Sequence, residues 1–219
     1  MYLFNAPVFN NVSEKEIIEI KHLGYMRQCC FKRGSAIFNM GEQIDELGII
    51  LSGNVIIENI DLCGNKSILS FISQGQVFAE TYALCHEKMM VNVIACEDCE
   101  ILFLNLKFIN NTAAVSHAWH NKIVNNLLTV TAHKNLLLSN RIFCTSPKTI
   151  RERLLTYLSY QSIIHESMSF TIPFNRQQLA DYLNLDRSAL SKELGRMRDD
   201  GLLSFKKNHF RLFTLPQMR

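Results

Sequence analysis

Hydrophobic residues follow two different rhythms along this chain. Up to about residue 110, short runs of β-branched and aromatic residues alternate with turn residues such as Gly34, Gly41 and Gly75. Short strands separated by turns indicate an antiparallel sandwich or barrel. The predicted strands cover 37–38, 47–51, 54–57, 67–72, 91–94 and 100–104, with a turn at 63–65 and an amphipathic helix over 13–20 ahead of them.

The rhythm becomes helical from about residue 111 to 140, where the chain contains neither Gly nor Pro. One apolar stripe consists of Trp119, Ile123, Leu127, Val130 and Leu137. Their spacing predicts a helix of roughly 45 Å, at 1.5 Å per residue. So long a helix has more apolar surface than the β domain can cover, which favours a dimer seam. The alternative is a helix that packs wholly within one subunit.

A boundary is expected at Ser146-Pro147, where Ser146 would cap the next helix and Pro147 would open it. Ile150, Leu154, Leu155 and Leu158 give that helix a buried face. The pattern therefore predicts three segments: a β domain over 1–110, a dimerisation helix and hinge over 111–145, and a C-terminal domain over 146–219.

The last segment contains two short helices joined by a tight turn. Asn175 with Gln178 forms a variant capping box, so the first helix begins there. Asn184 stands at the turn, because Asn tolerates the left-handed conformation. Asp186 caps the second helix, predicted over 186–198, and Gly201 follows its end. The expected buried positions are Leu179, Ala180, Leu183, Leu190, Leu194 and Met197. This is the pattern of a helix-turn-helix.

Donor side chains line the surface that this motif would present to DNA. The second helix carries Arg187, Ser188, Ser191 and Lys192 on its exposed face, and such residues bind base edges and phosphates. Beyond it, 202–205 and 210–213 form an alternating hairpin with Lys206-Lys207-Asn208-His209 as its basic tip, which indicates a wing. A small helical bundle with a solvated basic face is the alternative.

Charge is distributed unevenly along the chain. Residues 1–110 carry 8 basic and 13 acidic residues, whereas residues 148–219 carry 12 basic and 7 acidic ones. An anionic partner is therefore expected only at the C-terminal part. No apolar run approaches the roughly 18 residues of a membrane span, and the N-terminus lacks a signal-peptide pattern. We expect a cytoplasmic protein whose 7 Cys are reduced.

Taken together, these motifs resemble the Crp/Fnr family of bacterial transcription factors. In the β domain the resemblance depends on Phe31-Lys32-Arg33-Gly34, Leu51-Ser52-Gly53, Phe78-Ala79-Glu80 and 95–99. In the DNA domain it depends on 176–180 and 186–191, the more specific set. It implies an α+β fold: an N-terminal antiparallel β-roll (a cupin-like jelly roll) of the cyclic-nucleotide-binding type, a long dimerisation helix and a C-terminal winged helix-turn-helix.

The resemblance also implies partners and site residues. A homodimer would place two recognition helices in successive major grooves of double-stranded DNA, about 34 Å apart on a near-palindromic operator. Arg176 and Gln177 join the predicted DNA contacts. Ser188 stands where well-studied members have Glu, so a different preferred site is expected. Contact with RNA polymerase is a further implication.

The effector site departs from the family pattern. The cyclic-nucleotide cassette needs Gly-Glu for the ribose and Arg-Ser or Arg-Thr for the phosphate, but here Ala79-Glu80, Met89 and Met90 occupy those positions. A buried phosphate without a guanidinium loses solvation with little in return. We therefore expect an effector other than a cyclic nucleotide, or none, and no cofactor. Met89 and Met90 would either line an apolar pocket or fill it. A one-residue slip would bring in Lys88 and a cyclic nucleotide.

Patterns typical of metal, cofactor or catalytic sites are weak in this sequence. Cys96-x-x-Cys99 and the adjacent pair Cys29-Cys30 fit structural cysteines better than an iron–sulfur cluster, and His117, His120 and His133 could serve a haem or metal only as a minor alternative. No metal site is predicted. The chain has no Gly-rich phosphate loop, nucleophile elbow or His-Glu-x-x-His, so an enzyme is not expected. A ligand-sensing module without DNA binding is the remaining rival.

Overall fold

The computed structural model describes residues 6–60 and 66–213, so the turn predicted at 63–65 lies outside the described residues. The chain divides into two compact units, Met1–His133 and Lys134–Arg219, each with its own core. None of the helices within the described ranges has the length and apolar character needed to cross a membrane.

The first unit is built around two four-stranded antiparallel sheets. One sheet has the strand order β1 (Met26–Phe31), β8 (Cys99–Asn105), β3 (Glu46–Ser52), β6 (Val77–Phe78). The other has β2 (Ala36–Phe38), β7 (Asn92–Ala95), β4 (Val55–Ile60), β5 (Lys66–Ile72). Inward-facing Val, Ile, Leu and Phe from both sheets form one core. The predicted β-roll is confirmed.

Helices and turns flank these sheets. A 3₁₀ turn at Pro7–Phe9 precedes α1 (Glu14–His22), which Ser13 and Glu16 close with a capping box. Helix α2 (Glu80–Cys85) follows β6, and a 3₁₀ turn at Leu106–Asn110 follows β8. Strand β1 and helix α2 were not among the predicted elements. Strand β1 is an edge strand with Arg27 and Gln28 exposed, so it lacks the apolar run by which the other strands were recognised.

The long helix differs from its prediction at both ends. A short helix, α3 (Thr112–Val115), ends before α4 begins, and α4 runs over Ala118–Thr145. Ser146 does not cap the next helix, because its hydroxyl donates to the Ile142 carbonyl oxygen at 2.6 Å and so extends the end of α4. Thr149 is the actual cap of α5 (Ile150–Ile164), in a capping box with Glu152. The predicted roles of Ser146 and Pro147 were therefore wrong.

The second unit is a winged helix-turn-helix. Helix α5 is followed by β9 (Ser169–Thr171), α6 (Arg176–Tyr182), α7 (Arg187–Asp199), β10 (Leu203–Lys206) and β11 (His209–Leu212). The three strands form an antiparallel sheet of order β10-β11-β9. Leu154, Leu158, Leu179, Leu190 and Leu194 are fully buried in its core. The end of α4 belongs to this unit and contributes the buried Cys144.

Candidate DNA-binding surface

Local side-chain chemistry fixes the two helices of the motif. Asn175 accepts a hydrogen bond from the Gln178 backbone N–H, and the Gln178 side chain accepts one from the Asn175 N–H, which starts α6. Asn184 adopts the left-handed conformation at φ 52°, and Asp186 accepts from the Ala189 N–H to start α7. All six predicted core positions of the motif are fully buried, and Gly201 follows α7 at φ 73°. The sequence prediction of the motif is confirmed.

Two arginines hold the turn between these helices from behind. Arg141, near the end of α4, donates to the carbonyl oxygens of Asp181 and Tyr182, both at 3.2 Å. Arg153 of α5 donates to the carbonyl oxygens of Leu183 and Asn184, also at 3.2 Å. The last carbonyls of a helix lack partners within the helix, and these guanidinium groups supply them. No local sequence pattern predicts this role, because it depends on tertiary packing.

The inner face of α7 is fixed by a charged network. Glu193 is buried and accepts from the Arg151 Nε at 2.6 Å, while the Nη2 of the same arginine lies 2.7 Å from Asp200. A buried carboxylate requires such a partner, since an unpaired charge in the interior is strongly unfavourable. The network holds α7 against α5 at two points, Glu193 in the middle of α7 and Asp200 just beyond its end. The recognition helix is therefore firmly oriented.

The outer face of α7 carries the predicted donors. Arg187, Ser188, Ser191 and Lys192 are all exposed. Within the described part of the chain, neither Arg187 nor Lys192 lies within ion-pair distance of a carboxylate, so both charges face solvent. The Ser188 hydroxyl donates a short hydrogen bond to Asp186 and so offers a base mainly its acceptor lone pairs. These side chains share one surface at the start of the helix.

The wing presents two further lysines beside this surface. Strands β10 and β11 pair from Leu203↔Leu212 to Lys206↔His209, which leaves Lys207 and Asn208 as a two-residue turn. Lys207 has φ 55°, and the Asn208 amide donates to the Ile172 carbonyl oxygen at 2.9 Å, which ties the wing tip to the segment after β9. Lys206 and Lys207 are exposed. His209 lies in a strand and not at the tip.

Arg176 differs from the other predicted contacts because its side chain is half-buried. Its guanidinium carbon lies 4.8 Å from the Phe205 ring centroid and 5.1 Å from that of Phe210, and burial lowers its pKa. Gln177 next to it is exposed and donates to Asp181 at 2.8 Å. The sequence predicted both residues as DNA contacts without distinguishing their environments.

An open cleft of about 650 Å³ connects the start of α6, the start of α7 and the wing tip. Arg176, Arg187 and Lys207 contribute to its lining, and no acidic side chain does. A concave surface with only positive charge favours an anionic ligand. Four of the predicted contact residues, Arg176, Gln177, Arg187 and Lys207, thus border one surface.

The effector residues have different environments. Glu80 opens α2 and is buried, after Ala79, which adopts φ 65° where the family pattern has Gly. Met89 is 2% exposed and belongs to the core, whereas Met90 is 72% exposed. The two methionines therefore do not share one surface, and Met89 fills the core. Lys88 is exposed and pairs through its backbone with Gln43.

The predicted dimer stripe is largely buried within the chain itself. Trp119 and Ile123 are fully buried and Leu127 is 3% exposed, all in the core of the first unit. Val130 is half-buried against the same core, and Leu137 is exposed. The stripe predicted as a seam is therefore corrected over 119–127, because its side chains pack against the β-roll of their own chain. Other apolar residues of α4 are exposed instead: Leu128, Leu136, Leu138, Ile142 and Phe143.

Three cysteines, Cys96, Cys99 and Cys144, lie in environments that disfavour the thiolate. Burial raises the pKa of Cys96, and proximity to Cys99 raises it further. Burial also raises the pKa of Cys99 and of Cys144. Because the thiolate is the metal-binding form, these environments disfavour ligation. Within 6–60 and 66–213, no group of three or more His, Cys, Asp or Glu side chains is arranged to hold a metal ion.

Comparison with known proteins agrees with both units. The family model for the cyclic nucleotide-binding domain matches residues 28–114, and that for the Crp-like helix-turn-helix domain matches residues 152–219. Electron transport regulator A of Shewanella oneidensis is 24% identical over 182 residues, which cover 80% of this chain and 70% of that protein.

Solved structures share the fold. The catabolite activator protein of Thermus thermophilus aligns with a TM-score of 0.51 at 20% identity, over 94% of this chain and 93% of that chain. The c-di-GMP-responsive global regulator CLP of Xanthomonas campestris aligns with a TM-score of 0.53 at 17% identity, over 92% and 100%. With both domain models matched in the expected order, the chain belongs to the Crp/Fnr family of DNA-binding transcriptional regulators.

Proposed function

We propose that this protein is a homodimeric, cytoplasmic regulator that binds a near-palindromic operator with α7 in the major groove. The observation that carries the proposal is the pair of uncompensated charges, Arg187 and Lys192, on the exposed face of a helix whose other face is held by Arg151. Rigid, solvent-facing donors at the start of a helix are what base and phosphate contacts need. Lys206 and Lys207 add phosphate contacts from the wing.

The dimer seam lies on a different face of α4 from the stripe that is buried in the β-roll. Leu128, Asn135 and Ile142 follow one another at intervals of seven, with Thr131 and Leu138 between them at alternating steps of three and four. That is the a/d pattern of a two-stranded coiled coil. Leu128, Leu138 and Ile142 are 68%, 60% and 65% exposed.

Asn135 adds specificity to this seam. It occupies the a position between Leu128 and Ile142, and a single Asn at an a position selects a parallel, in-register pair at some cost in stability. Parallel pairing of α4 would relate two copies by a twofold axis, as a near-palindromic operator requires. A second copy of this chain is thus the partner that fits the face.

The effector, if the protein has one, is a molecule other than a cyclic nucleotide. Met89 is part of the core, Met90 is exposed, and Lys88 is exposed next to a backbone bridge, so none of the three offers the bidentate donor that a cyclic phosphate needs. A regulator that responds to a cyclic nucleotide, or to haem or redox state, is the alternative. The proposal includes no cofactor and no metal.

A salt titration of DNA affinity tests the proposal against the rival module without DNA binding. The logarithm of the affinity for a labelled mixed-sequence duplex should fall linearly with the logarithm of salt concentration, with a slope of about 0.9 per phosphate contact. Substitution of both Lys206 and Lys207 by uncharged residues should lower that slope by about 2 contacts' worth. Affinity that is weak and independent of salt would support the ligand-sensing module. Contact with RNA polymerase is expected once the protein is bound at a promoter.

A further inference from the structure

The environment of Arg176 is unlike that of any other basic residue of the proposed DNA surface. Arg187, Lys192, Lys206 and Lys207 are exposed, whereas Arg176 is half-buried. Among the described residues, no carboxylate lies within ion-pair distance of its guanidinium. Burial lowers its pKa from the ordinary value of an arginine, and guanidinium groups remain protonated in proteins. A partly desolvated cation without a carboxylate needs another source of stabilisation.

Two aromatic rings of the wing supply that stabilisation. Phe205 of β10 and Phe210 of β11 are directly paired across the two strands, with ring centroids 5.9 Å apart and planes inclined by 34°. The Arg176 guanidinium carbon lies 4.8 Å and 5.1 Å from those centroids. Both distances are within the range of cation–π attraction, which becomes stronger as water is excluded. Arg176 thus contacts both strands of the hairpin at one level.

This contact joins two elements that the backbone does not join. Arg176 is the first residue of α6, fixed by the capping box of Asn175, and its side chain meets the hairpin one residue from Lys206. The tip has a second anchor, where Asn208 contacts Ile172. One residue pair before the Lys206–His209 pair at the tip, Phe205 and Phe210 are held instead by Arg176 and by the pairing of Phe210 with Phe170 in β9.

We propose that Arg176 is a positioning residue that fixes the wing to the start of α6 and thereby sets where Lys206 and Lys207 meet the DNA backbone. The consequence for DNA rests on the proposed function, whereas the ordering of the wing does not. The sequence predicted Arg176 as one more DNA contact. The two roles require different chemistry. A phosphate contact requires only a positive charge, whereas a contact shared by two neighbouring rings favours the flat, weakly hydrated guanidinium that Lys lacks.

Amide hydrogen exchange of the full-length, DNA-free protein tests the positioning role directly. Arg176→Lys keeps the charge, and Arg176→Met removes it at similar length. Both should accelerate exchange several-fold at the β10 and β11 amides and leave the α7 amides unchanged. Lys192→Met is the matched control, since it removes an exposed charge that contacts no aromatic ring of the wing, and its exchange should equal that of the wild type. Wing amides unchanged in Arg176→Lys and Arg176→Met would overturn the proposal.

The salt dependence of binding to a labelled mixed-sequence duplex gives the second readout. Phe205→Leu changes no charge and alters only a half-buried side chain, yet it should lower the slope, because an unclamped wing loses contacts made by Lys206 and Lys207. Arg176→Lys should lower the slope as well, although it keeps its charge. If both match the wild type and only Arg176→Met loses about one contact's worth of slope, Arg176 is an ordinary phosphate contact.

The two readouts separate the two proposals. Faster wing exchange in a protein whose DNA affinity is absent or independent of salt would contradict the proposed function and leave the positioning role supported. Unchanged wing exchange together with salt-dependent DNA binding would contradict the positioning role and leave the proposed function supported. Thermal unfolding of Phe205→Leu checks that the unit is still folded; if it is not, Arg176→Lys, which alters no buried apolar side chain, decides the question.

Discussion

Arg141 holds Tyr182 by both its backbone and its ring: the arginine Nε donates to the Tyr182 carbonyl oxygen at 3.2 Å, and its guanidinium carbon lies 5.8 Å from the ring centroid. Tyr182 is the last residue of α6. The same guanidinium also reaches Asn184, the left-handed residue of the turn, at 3.4 Å. The end of α4 within the second unit is therefore bonded to the turn that sets the angle between α6 and α7.

Removal of this contact should destabilise the second unit. Arg141→Met keeps the apolar stem but leaves the Tyr182 carbonyl oxygen, at the end of α6, without its guanidinium donor. We expect a loss of about 1–2 kcal/mol in the free energy of unfolding. Denaturant unfolding measures it. Arg198→Met is the control, because among the described residues Arg198 forms an ion pair only with its exposed neighbour Asp199. This variant should change the free energy of unfolding by no more than about 0.5 kcal/mol. Equal stability of the two variants would contradict this assignment.

The reading of DNA sequence should depend on Arg187. Arg187→Ala is expected to weaken binding to the preferred site by about 1–3 kcal/mol and to relax specificity there. Lys207→Asn is a suitable comparison, since Asn tolerates the left-handed conformation at φ 55° and only the charge is lost. It should weaken all sequences about equally. Binding by Arg187→Ala with unchanged affinity for the best site would mean that α7 does not read bases.

The choice of dimer face separates two neighbouring leucines. Leu137 and Leu138 are 68% and 60% exposed, but only Leu138 lies on the heptad stripe with Leu128 and Ile142. Leu138→Asp should place a charge in the seam and yield monomers in sedimentation velocity, while Leu137→Asp remains dimeric. If Leu137→Asp gave monomers and Leu138→Asp did not, the dimer seam would lie on the face predicted from the sequence, which includes Leu137.

The strained start of α2 offers a test in the first unit. Ala79 has φ 65°, a conformation that costs an L-residue roughly 1 kcal/mol more than glycine. Ala79→Gly should therefore raise the free energy of unfolding by about 1 kcal/mol. Ala83→Gly, within the same helix and buried, should instead lower it by about the same amount. Destabilisation by both changes would show that Ala79 is not strained as described.

The sequence predicted those structural features that depend on residues close together in the chain. Asn175, Asn184 and Asp186 act within a few residues of themselves, so the helix-turn-helix was predictable to within a residue. Which face of α4 remains exposed could not be predicted in this way. Trp119 and Leu128 are both apolar and both at helical spacing, and only the packed β-roll decides which side is covered. Periodicity identifies apolar faces but not their partners.

The same limit applies to individual side chains. Thr149 and Ser146 are both residue types that favour the N-cap. Because α4 continues for five residues beyond its predicted end at 140, Ser146 lies at the end of α4 and Thr149 caps α5. The environment of Arg176 depends on two phenylalanines that are brought together by strand pairing some 30 positions later in the chain. Met89 and Met90 are adjacent and chemically identical, yet one is in the core and the other in solvent.

Sequence-specific DNA binding is tested most directly by selecting duplexes from a random pool with the purified full-length protein. The affinity for the selected duplexes is then measured at fixed salt, with and without cyclic AMP. We predict an enriched near-palindromic site that binds at least about a thousand times more tightly than a scrambled duplex, with cyclic AMP making no difference. No enrichment, with equal affinity for every duplex, would contradict sequence-specific regulation. Tight binding only in the presence of cyclic AMP would contradict the effector assignment and make Lys88 the residue to examine.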